Sequence, residues 1–305
     1  MKHTVVLTAA FPSVARELLA GEFDVIEHPT ESARSEDDVI TILAEADAAI
    51  TLLSDPITRN VLASNPNLRM VANFAVGYNN VDLDAARELG VIVTNTPGVL
   101  TEATADFTMA LILAVTRRIV EGDGEVRATA RCEWDPLAFL GSSLQGKRLG
   151  ILGMGRIGSA VAERARAFGM EILGVRRGDP LDELLATSDI VSVHAPLTRE
   201  THHILDPAAL AKMKRGAYVI NTSRGPLVDE EALCDALESG QLRGAALDVY
   251  EREPEVNARL LAMKNVVLAP HIASATEEAR NAMARSAATD VARFLRGLAP
   301  LHRVV

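Results

Sequence analysis

The chain has 305 residues, enough for one large domain or two of ordinary size. With 48% hydrophobic and 24% charged residues it has a globular composition, which excludes a disordered chain, a collagen and a disulfide scaffold. A formal net charge of −10 excludes a nucleic-acid binder that works through a broad basic face, though not a local basic pocket.

In chain order, short β-branched runs alternate with helical stretches. The first strand series is Thr4–Thr8, Phe23–Glu27, Ala48–Leu53, Met70–Phe74 and Val91–Asn95. Helices are expected over Ser13–Ala20 and Asp82–Leu89. Thr96-Pro97-Gly98 ends this series, and Thr101 is a good N-cap for a long connecting helix through Ala105, Met109 and Leu113 to Arg118 or beyond. An irregular stretch, Arg131 to Gly146, then carries the single Trp134. The second series is Arg148–Leu152, Glu171–Val175, Ile190–His194, Ala217–Asn221, Gly244–Val249 and Val266–Ala269. Its helices are Ile157–Phe168 and Glu230–Ser239, with Thr276–Leu295 after the last strand. Several strands are continuous apolar runs, as strands covered on both faces are. Repeated βα alternation predicts parallel sheets with crossover helices. Two series predict two sheets, and the last helix can return to the first lobe.

Cys132 and Cys234 show no CxxC or CxxH pattern and read as two buried or inert thiols of a reducing compartment. The longest apolar run near the middle, Met109 to Val115, is seven residues, against the roughly 20 that a spanning helix needs. The amino-terminal residues carry no long apolar core or cleavage pattern, so the expectation is a cytoplasmic protein without membrane or nucleic-acid partners.

Gly153, Gly155 and Gly158 form a Gly-x-Gly-x-x-Gly between an apolar strand and an Ala-rich helix. The first glycine permits the tight turn, the second lets backbone approach a pyrophosphate, and the third lets helix and strand pack closely. The helix start, with Arg156 and Ile157, offers free N–H groups to phosphate. This predicts a dinucleotide site. An NAD site usually has Asp or Glu at the end of the next strand; here Arg176 and Arg177 stand there, 18 and 19 residues after Gly158. Guanidiniums suit a 2′-phosphate, so NADP(H) is favoured, with NAD(H) open. Asp179, in the turn beyond, is the rival ribose ligand.

Three further strand ends carry polar residues: Arg224 after Asn221-Thr222-Ser223, then Asp248 through Glu253, then His271 after Pro270. Arg, a carboxylate and His at the carboxyl edge of a sheet are what carbonyl reduction needs. The cation polarises the carbonyl and binds a carboxylate, the imidazolium gives the proton, and the acid favours the charged imidazole. His3, His28, His202, His203 and His302 receive no role. No histidine pair has zinc-protease spacing with Glu between, so no metal site is expected; no Gly-x-Ser-x-Gly nucleophile elbow occurs either.

With these segments the chain closely resembles the D-isomer-specific 2-hydroxyacid dehydrogenases, from about Ala48 to the last helix. The matching stretches are Asn73–Asp82, Gly153–Gly158, Asn221–Asp229, Asp248–Pro254 and Pro270–Ser274. The resemblance implies an α/β fold of two Rossmann-like or flavodoxin-like lobes, parallel sheets and a cleft between them. Residues 1–100 plus 276–305 would be the substrate domain and 101–275 the dinucleotide-binding domain. It further implies Arg224 as the ligand of substrate carboxylate and carbonyl, His271 as acid/base and Glu253 as its partner. Asp248 would hold the nicotinamide carboxamide. Thr104, His194, Pro196, Thr222 and Ser223 would lie at the cofactor. Backbone N–H groups of Val76 and Gly77 would hold the substrate, with Leu52 and Trp134 at the pocket wall.

Arg176-Arg177, the Thr101–Asp106 run, Arg117-Arg118 and Trp134 look most like the glyoxylate/hydroxypyruvate reductases. The implied reaction is NADPH-dependent reduction of a small 2-oxo acid to the D-2-hydroxy acid. The alternatives are an NAD-dependent dehydrogenase of another 2-hydroxy acid and a dinucleotide-sensing scaffold. The resemblance also implies a homodimer, through Thr101–Val120 and Arg131–Gly141. The chain departs from the family between Arg177 and Ser188, where members usually carry a longer segment with a short strand, and at Ala273, where they often have Gly.

Overall fold

The computed structural model describes residues 2–29 and 34–305. Its contacts divide the chain into two units, Met1–Leu100 with Ala275–Val305, and Thr101–Ser274.

The first unit holds β1 (Thr4–Leu7), β2 (Asp24–Glu27), β3 (Ala48–Thr51), β4 (Met70–Asn73) and β5 (Ile92–Thr94). They form one parallel sheet in the order β2-β1-β3-β4-β5, the flavodoxin-like arrangement. Every residue of β3 and β4 is buried, whereas edge strand β2 is half exposed, so the continuous apolar runs are the central strands. Helices Glu36–Leu43, Arg59–Ser64 and Leu83–Leu89 start on Ser35, Thr58 and Asp82, whose side chains accept backbone N–H bonds. The first two fall on stretches for which the sequence pattern gave no helix. Helix Glu277–Leu295 belongs to this unit, packed on β3, β4 and helix Val14–Leu19. The chain end then runs antiparallel along β5: the Val304 N–H donates to the Val93 carbonyl at 2.8 Å and the Asn95 N–H to the His302 carbonyl at 3.3 Å. Buried Asp290 anchors it, accepting the Leu301 N–H at 2.6 Å and pairing with His302 Nδ1 at 2.9 Å.

The second unit holds β6 (Arg148–Leu152), β7 (Glu171–Val175), β8 (Ile190–Val193), β9 (Ala217–Asn221), β10 (Leu242–Leu247) and β11 (Val266–Leu268). All are parallel, in the order β11-β10-β9-β8-β6-β7. Among the described residues no strand lies outside β7, where the commoner dinucleotide-binding order has one. From β7 the chain passes through a short turn and helix Asp182–Thr187 straight to β8, across β6. Gly150 makes this possible: a Cβ there would lie 2.4 Å from Ser188 Oγ and 2.8 Å from the Leu184 side chain. The short segment between Arg177 and Ser188 therefore leaves β7 as an edge strand, four of its five residues partly or fully exposed.

Two expectations fail here. The connecting helix is not continuous. Helix Thr101–Thr116 begins with Thr101 itself, not capped by it, and a second helix, Ile119–Thr129, follows after Arg118 in the left-handed region at φ +55°. Arg118 is held by a two-pronged bond to Glu121, and the Thr116 carbonyl is taken by the Ser142 N–H at 2.8 Å. The β10 strand is also displaced, running Leu242–Leu247 and not Gly244–Val249. Its last residue precedes Asp248, so the carboxylate begins the loop.

Candidate active site

The glycine turn shows what each glycine is for. Gly153 has φ +104°, and a Cβ on it would lie 2.7 Å from the Ala195 nitrogen. A Cβ on Gly158 would lie 2.2 Å from the Gly153 carbonyl oxygen. The protein's own packing thus requires both. A Cβ on Gly155 would meet nothing within 4 Å, so no protein contact accounts for that glycine, and the space above it is open to an approaching group such as a pyrophosphate. Gly155 is also the N-cap of helix Arg156–Ala167 and offers no side chain to its first N–H groups, which leaves them for an anion. Gly155 and Arg156 are exposed, Ile157 half-buried and Gly158 buried. These residues fit a dinucleotide.

At the end of β7, Asp179 is engaged: its Oδ2 accepts the Arg176 N–H at 2.7 Å and its own N–H donates to the Arg176 carbonyl at 3.0 Å. The Arg176 side chain forms no ion pair among the described residues, and Arg177, 85% exposed, lies 3.8 Å from Glu200. Along the same carboxyl edge, Ser223 Oγ donates to the Ala195 carbonyl at 2.6 Å, and Thr222 and Thr108 hydroxyls meet at 3.0 Å. Thr108 also donates to the Thr104 carbonyl at 2.8 Å, which brings buried Thr104 to the end of β9. Burial pushes the His194 imidazole down to about 4, so it is neutral at physiological pH, with Nε2 2.8 Å from Ser192 Oγ. Pro196 is exposed beside it.

Arg224, Glu253 and His271 come together in this unit. Asn221 shapes the Arg224 turn, donating to the Arg224 carbonyl at 2.9 Å and accepting the Ser223 N–H at 3.0 Å. Arg224 Nη1 folds onto the Ser223 carbonyl at 2.7 Å. Burial lowers its guanidinium and the Glu253 charge opposes this; an arginine remains a cation regardless. His271 Nδ1 lies 3.0 Å from Glu253 Oε2. Burial raises the Glu253 carboxyl, but the hydrogen bond and charge of His271, with Arg224 beyond, outweigh it and hold it below the ordinary range.

His271 sits at φ +55°, a conformation costing about 1–3 kcal/mol for a non-glycine residue. Asp248, fully buried, holds it there. Its two oxygens accept the Ile272 and Ala273 N–H groups, each at 2.7 Å. The sequence reading gave Asp248 to the nicotinamide only; the structure adds this clamp on the chain after His271. Ala273 is not at positive φ, so a methyl is tolerated where the family often has Gly.

In the first unit, Val76 and Gly77 lie in a loop whose carbonyls are pinned. Ala75 accepts from the Thr96 N–H at 2.9 Å, Val76 from Asn95 Nδ2 at 2.8 Å and Gly77 from Asn73 Nδ2 at 2.8 Å. A trans peptide directs its N–H opposite to its C=O, so the Val76 and Gly77 N–H groups turn away from these anchors. Asn80 Nδ2 ties the Leu52–Asp55 turn to Asn73. Trp134 is 87% exposed and in no core. The sequence reading missed all three asparagines, and it missed His203, Glu230 and Glu251 behind Glu253. All but His203 stand in or next to a strand end or a named motif, the one signal that could have drawn attention to them. Both cysteines are free, Cys132 exposed and Cys234 buried. Among the described residues no helix is long and apolar enough to cross a membrane.

Residues 109–273 match the family described as D-isomer specific 2-hydroxyacid dehydrogenase, NAD binding domain. A glyoxylate reductase of Korarchaeum cryptofilum is 45% identical over all of this chain and 96% of its own. A crystal structure of a protein from Thermus thermophilus has a TM-score of 0.94 at 43% identity, covering 99% of this chain and 100% of that one. An NADPH-dependent glyoxylate/hydroxypyruvate reductase of Sinorhizobium meliloti, solved with NADP and malonate, has a TM-score of 0.86 at 31% identity, covering 100% and 97%. The phosphate-binding turn, the Arg–Glu–His arrangement and these likenesses agree, and the chain belongs to the D-isomer-specific 2-hydroxyacid dehydrogenases, oxidoreductases that use a nicotinamide dinucleotide.

Proposed function

We propose that this dehydrogenase reduces a small 2-oxo acid, glyoxylate or hydroxypyruvate, to the D-2-hydroxy acid, with NADPH preferred over NADH. The observation that carries this reading is the His271–Glu253 pair beside Arg224. His271 Nδ1 is engaged by Glu253 at 3.0 Å, which leaves Nε2 for the substrate oxygen. Arg224 holds the substrate carboxylate and polarises the ketone. When bound, the reduced dinucleotide supplies a hydride to the carbonyl carbon. The carbonyl π electrons move to oxygen, and the His271 imidazolium gives that oxygen its Nε2 proton. The Val76 and Gly77 N–H groups take the carboxylate, with Leu52 and Trp134 limiting substrate size. Gly153 to Gly158, Thr104, His194, Pro196, Thr222, Ser223 and Asp248 serve the cofactor.

The preference for NADPH rests on Arg176 and Arg177, whose guanidiniums are not committed to close ion pairs, and on Asp179 being used within its own turn. A homodimer is proposed from the exposed apolar side chains Ile119, Val120, Trp134, Leu137 and Leu140. The free thiols suit the reducing environment of a cytoplasm. The test is oxidation of NADPH and NADH, side by side, with glyoxylate, hydroxypyruvate and pyruvate. Turnover with NADPH favoured supports the reading; turnover favouring NADH removes the arginines from the cofactor; no turnover despite dinucleotide binding moves weight to the sensing scaffold.

A further inference from the structure

Glu253 can orient His271 only if its own backbone is fixed, and the fixing groups form a closed set behind it. Glu253 Oε1 accepts the Tyr250 N–H at 3.0 Å. The next peptide, Tyr250–Glu251, lies directly on Gly225, where a Cβ would come within 1.9 Å of the Tyr250 carbonyl and 2.4 Å of the Glu251 nitrogen. The Glu251 N–H donates to Glu230 Oε1 at 2.5 Å, and the Glu230 N–H returns to Glu251 Oε2 at 3.3 Å. Glu251 Oε1 is 2.9 Å from His203 Nε2. The His203 backbone N–H donates to the Pro226 carbonyl at 2.8 Å, two residues from Arg224. The turn that carries Arg224 and the turn that carries Glu253 are therefore cross-braced by three side chains that touch neither substrate nor cofactor in the proposed reaction.

Glu230 is the unusual member. It is 6% exposed, and burial raises its carboxyl, with the Glu251 charge adding to the effect. Helix capping does not explain it, because Asp229 already caps helix Glu230–Glu238 through the Ala232 N–H at 3.0 Å. A buried carboxylate facing a second carboxylate is weak evidence for stability. Holding a peptide in one orientation is what the geometry does achieve.

We infer that the reciprocal Glu230–Glu251 clasp, braced by His203, positions the Tyr250–Glu251 peptide and through it the Glu253 carboxylate that orients His271. Glu230 and Glu251 are positioning residues. The inference rests on the reading of His271 as the proton donor, and a second readout separates the two. The charged groups around His271 are Glu253, Asp248 and, beyond Glu253, Arg224.

The test compares Glu230→Ala and Glu230→Gln in the full chain. Loss of the acceptor in Glu230→Ala is expected to lower kcat about tenfold or more, as loosened general-acid geometry does. KM for glyoxylate and the dinucleotide Kd should stay within about twofold, and the alkaline limb of kcat/KM should move to lower pH. Glu230→Gln keeps an oxygen acceptor for the Glu251 N–H and should recover most of the rate. Histidine NMR, with His271 assigned by its Gln variant, reads the loosening without turnover: the His271 ring signals should shift or broaden in Glu230→Ala relative to the parent. Unchanged kcat and unchanged His271 ring signals in Glu230→Ala overturn the inference, as does a Glu230→Gln variant damaged as badly as the alanine. A parent enzyme inactive on every 2-oxo acid overturns the functional reading alone, since the NMR comparison still decides the clasp. Should Glu230→Ala fail to fold, Glu251→Ala, at a partly exposed side chain, removes the return bond from the Glu230 N–H and the His203 brace while keeping the Glu251 N–H bond to Glu230; it should lower kcat in the same direction by a smaller factor, and an unchanged kcat would overturn the inference.

Discussion

The carboxyl ends of the two sheets are built by opposite means. In the first unit, the loop holding Val76 and Gly77 is set by neutral amides: Asn73, Asn95 and the Thr96 N–H each take a carbonyl. The chemistry it offers is backbone. In the second unit, the offered groups are charged side chains, and the backbone is bent to aim them. His271 sits at φ +55°, buried Asp248 clamps the chain after it, and Glu230 is buried behind Glu253. A backbone anion site needs only uncharged pins, whose burial costs little once they are hydrogen-bonded. A side-chain acid–base site needs buried charge and local strain.

That contrast predicts unequal responses to mutation. The largest belongs to the charged side: Arg224→Gln should cut kcat/KM about a thousandfold, as loss of a charge-stabilising group does, with the dinucleotide Kd nearly unchanged. Within the glycine turn, Gly158→Ala should fold poorly, with Tm lowered by several degrees or more, because its Cβ would meet the Gly153 oxygen at 2.2 Å. Gly155→Ala should melt like the parent yet bind NADPH about tenfold more weakly, since a methyl there meets only ligand; equal Tm losses in the two variants would erase the distinction. On the neutral side, Asn95→Ala should raise KM for the 2-oxo acid about fivefold to tenfold, the worth of one hydrogen bond of about 1–1.5 kcal/mol, leaving kcat within a few-fold. A fall in kcat with KM unchanged would show that the amide pins do not serve the substrate.

The smallest effect concerns pH. Burial pushes the Tyr250 phenol up to about 12, and its hydroxyl donates to the Ala269 carbonyl at 2.8 Å. The unfolded chain ionises this phenol near pH 10, so its contribution is present below about pH 10 and is lost as pH rises toward 12. Tyr250→Phe should flatten the decline of urea stability over that window, and an unaltered slope would assign the decline elsewhere.

Much of this was legible in the residues. The strands declared themselves because central parallel strands are buried along their whole length and mostly apolar, as β3, β4, β8 and β9 are. The glycine turn carried its own spacing, and polar residues after three buried strands, with the family resemblance, pointed to Arg224, Glu253 and His271. The break at Arg118 was not legible, since no Gly or Pro marks it; the kink is held by the Arg118–Glu121 pair and by the Thr116 carbonyl meeting the Ser142 N–H. Nor were the roles of Asn95 and Glu230, whose partners Val76 and Glu251 are 19 and 21 residues away in sequence. A polar residue before a turn looks the same whether it faces water or pins a catalytic loop. Gly150 and Gly174 also gave no signal, because what fills the space above them, Leu184 with Ser188 and Met154, is a fact of packing.

Everything proposed for this site turns on His271, paired with Glu253, giving the proton in carbonyl reduction. The most direct test is the rate of glyoxylate reduction by His271→Gln against the parent from about pH 5 to 9, at saturating dinucleotide. The expected result is a kcat loss of about a hundredfold to ten-thousandfold, an unchanged dinucleotide Kd, and a profile that has lost its alkaline limb. A variant that keeps the parent rate and the parent profile would contradict it.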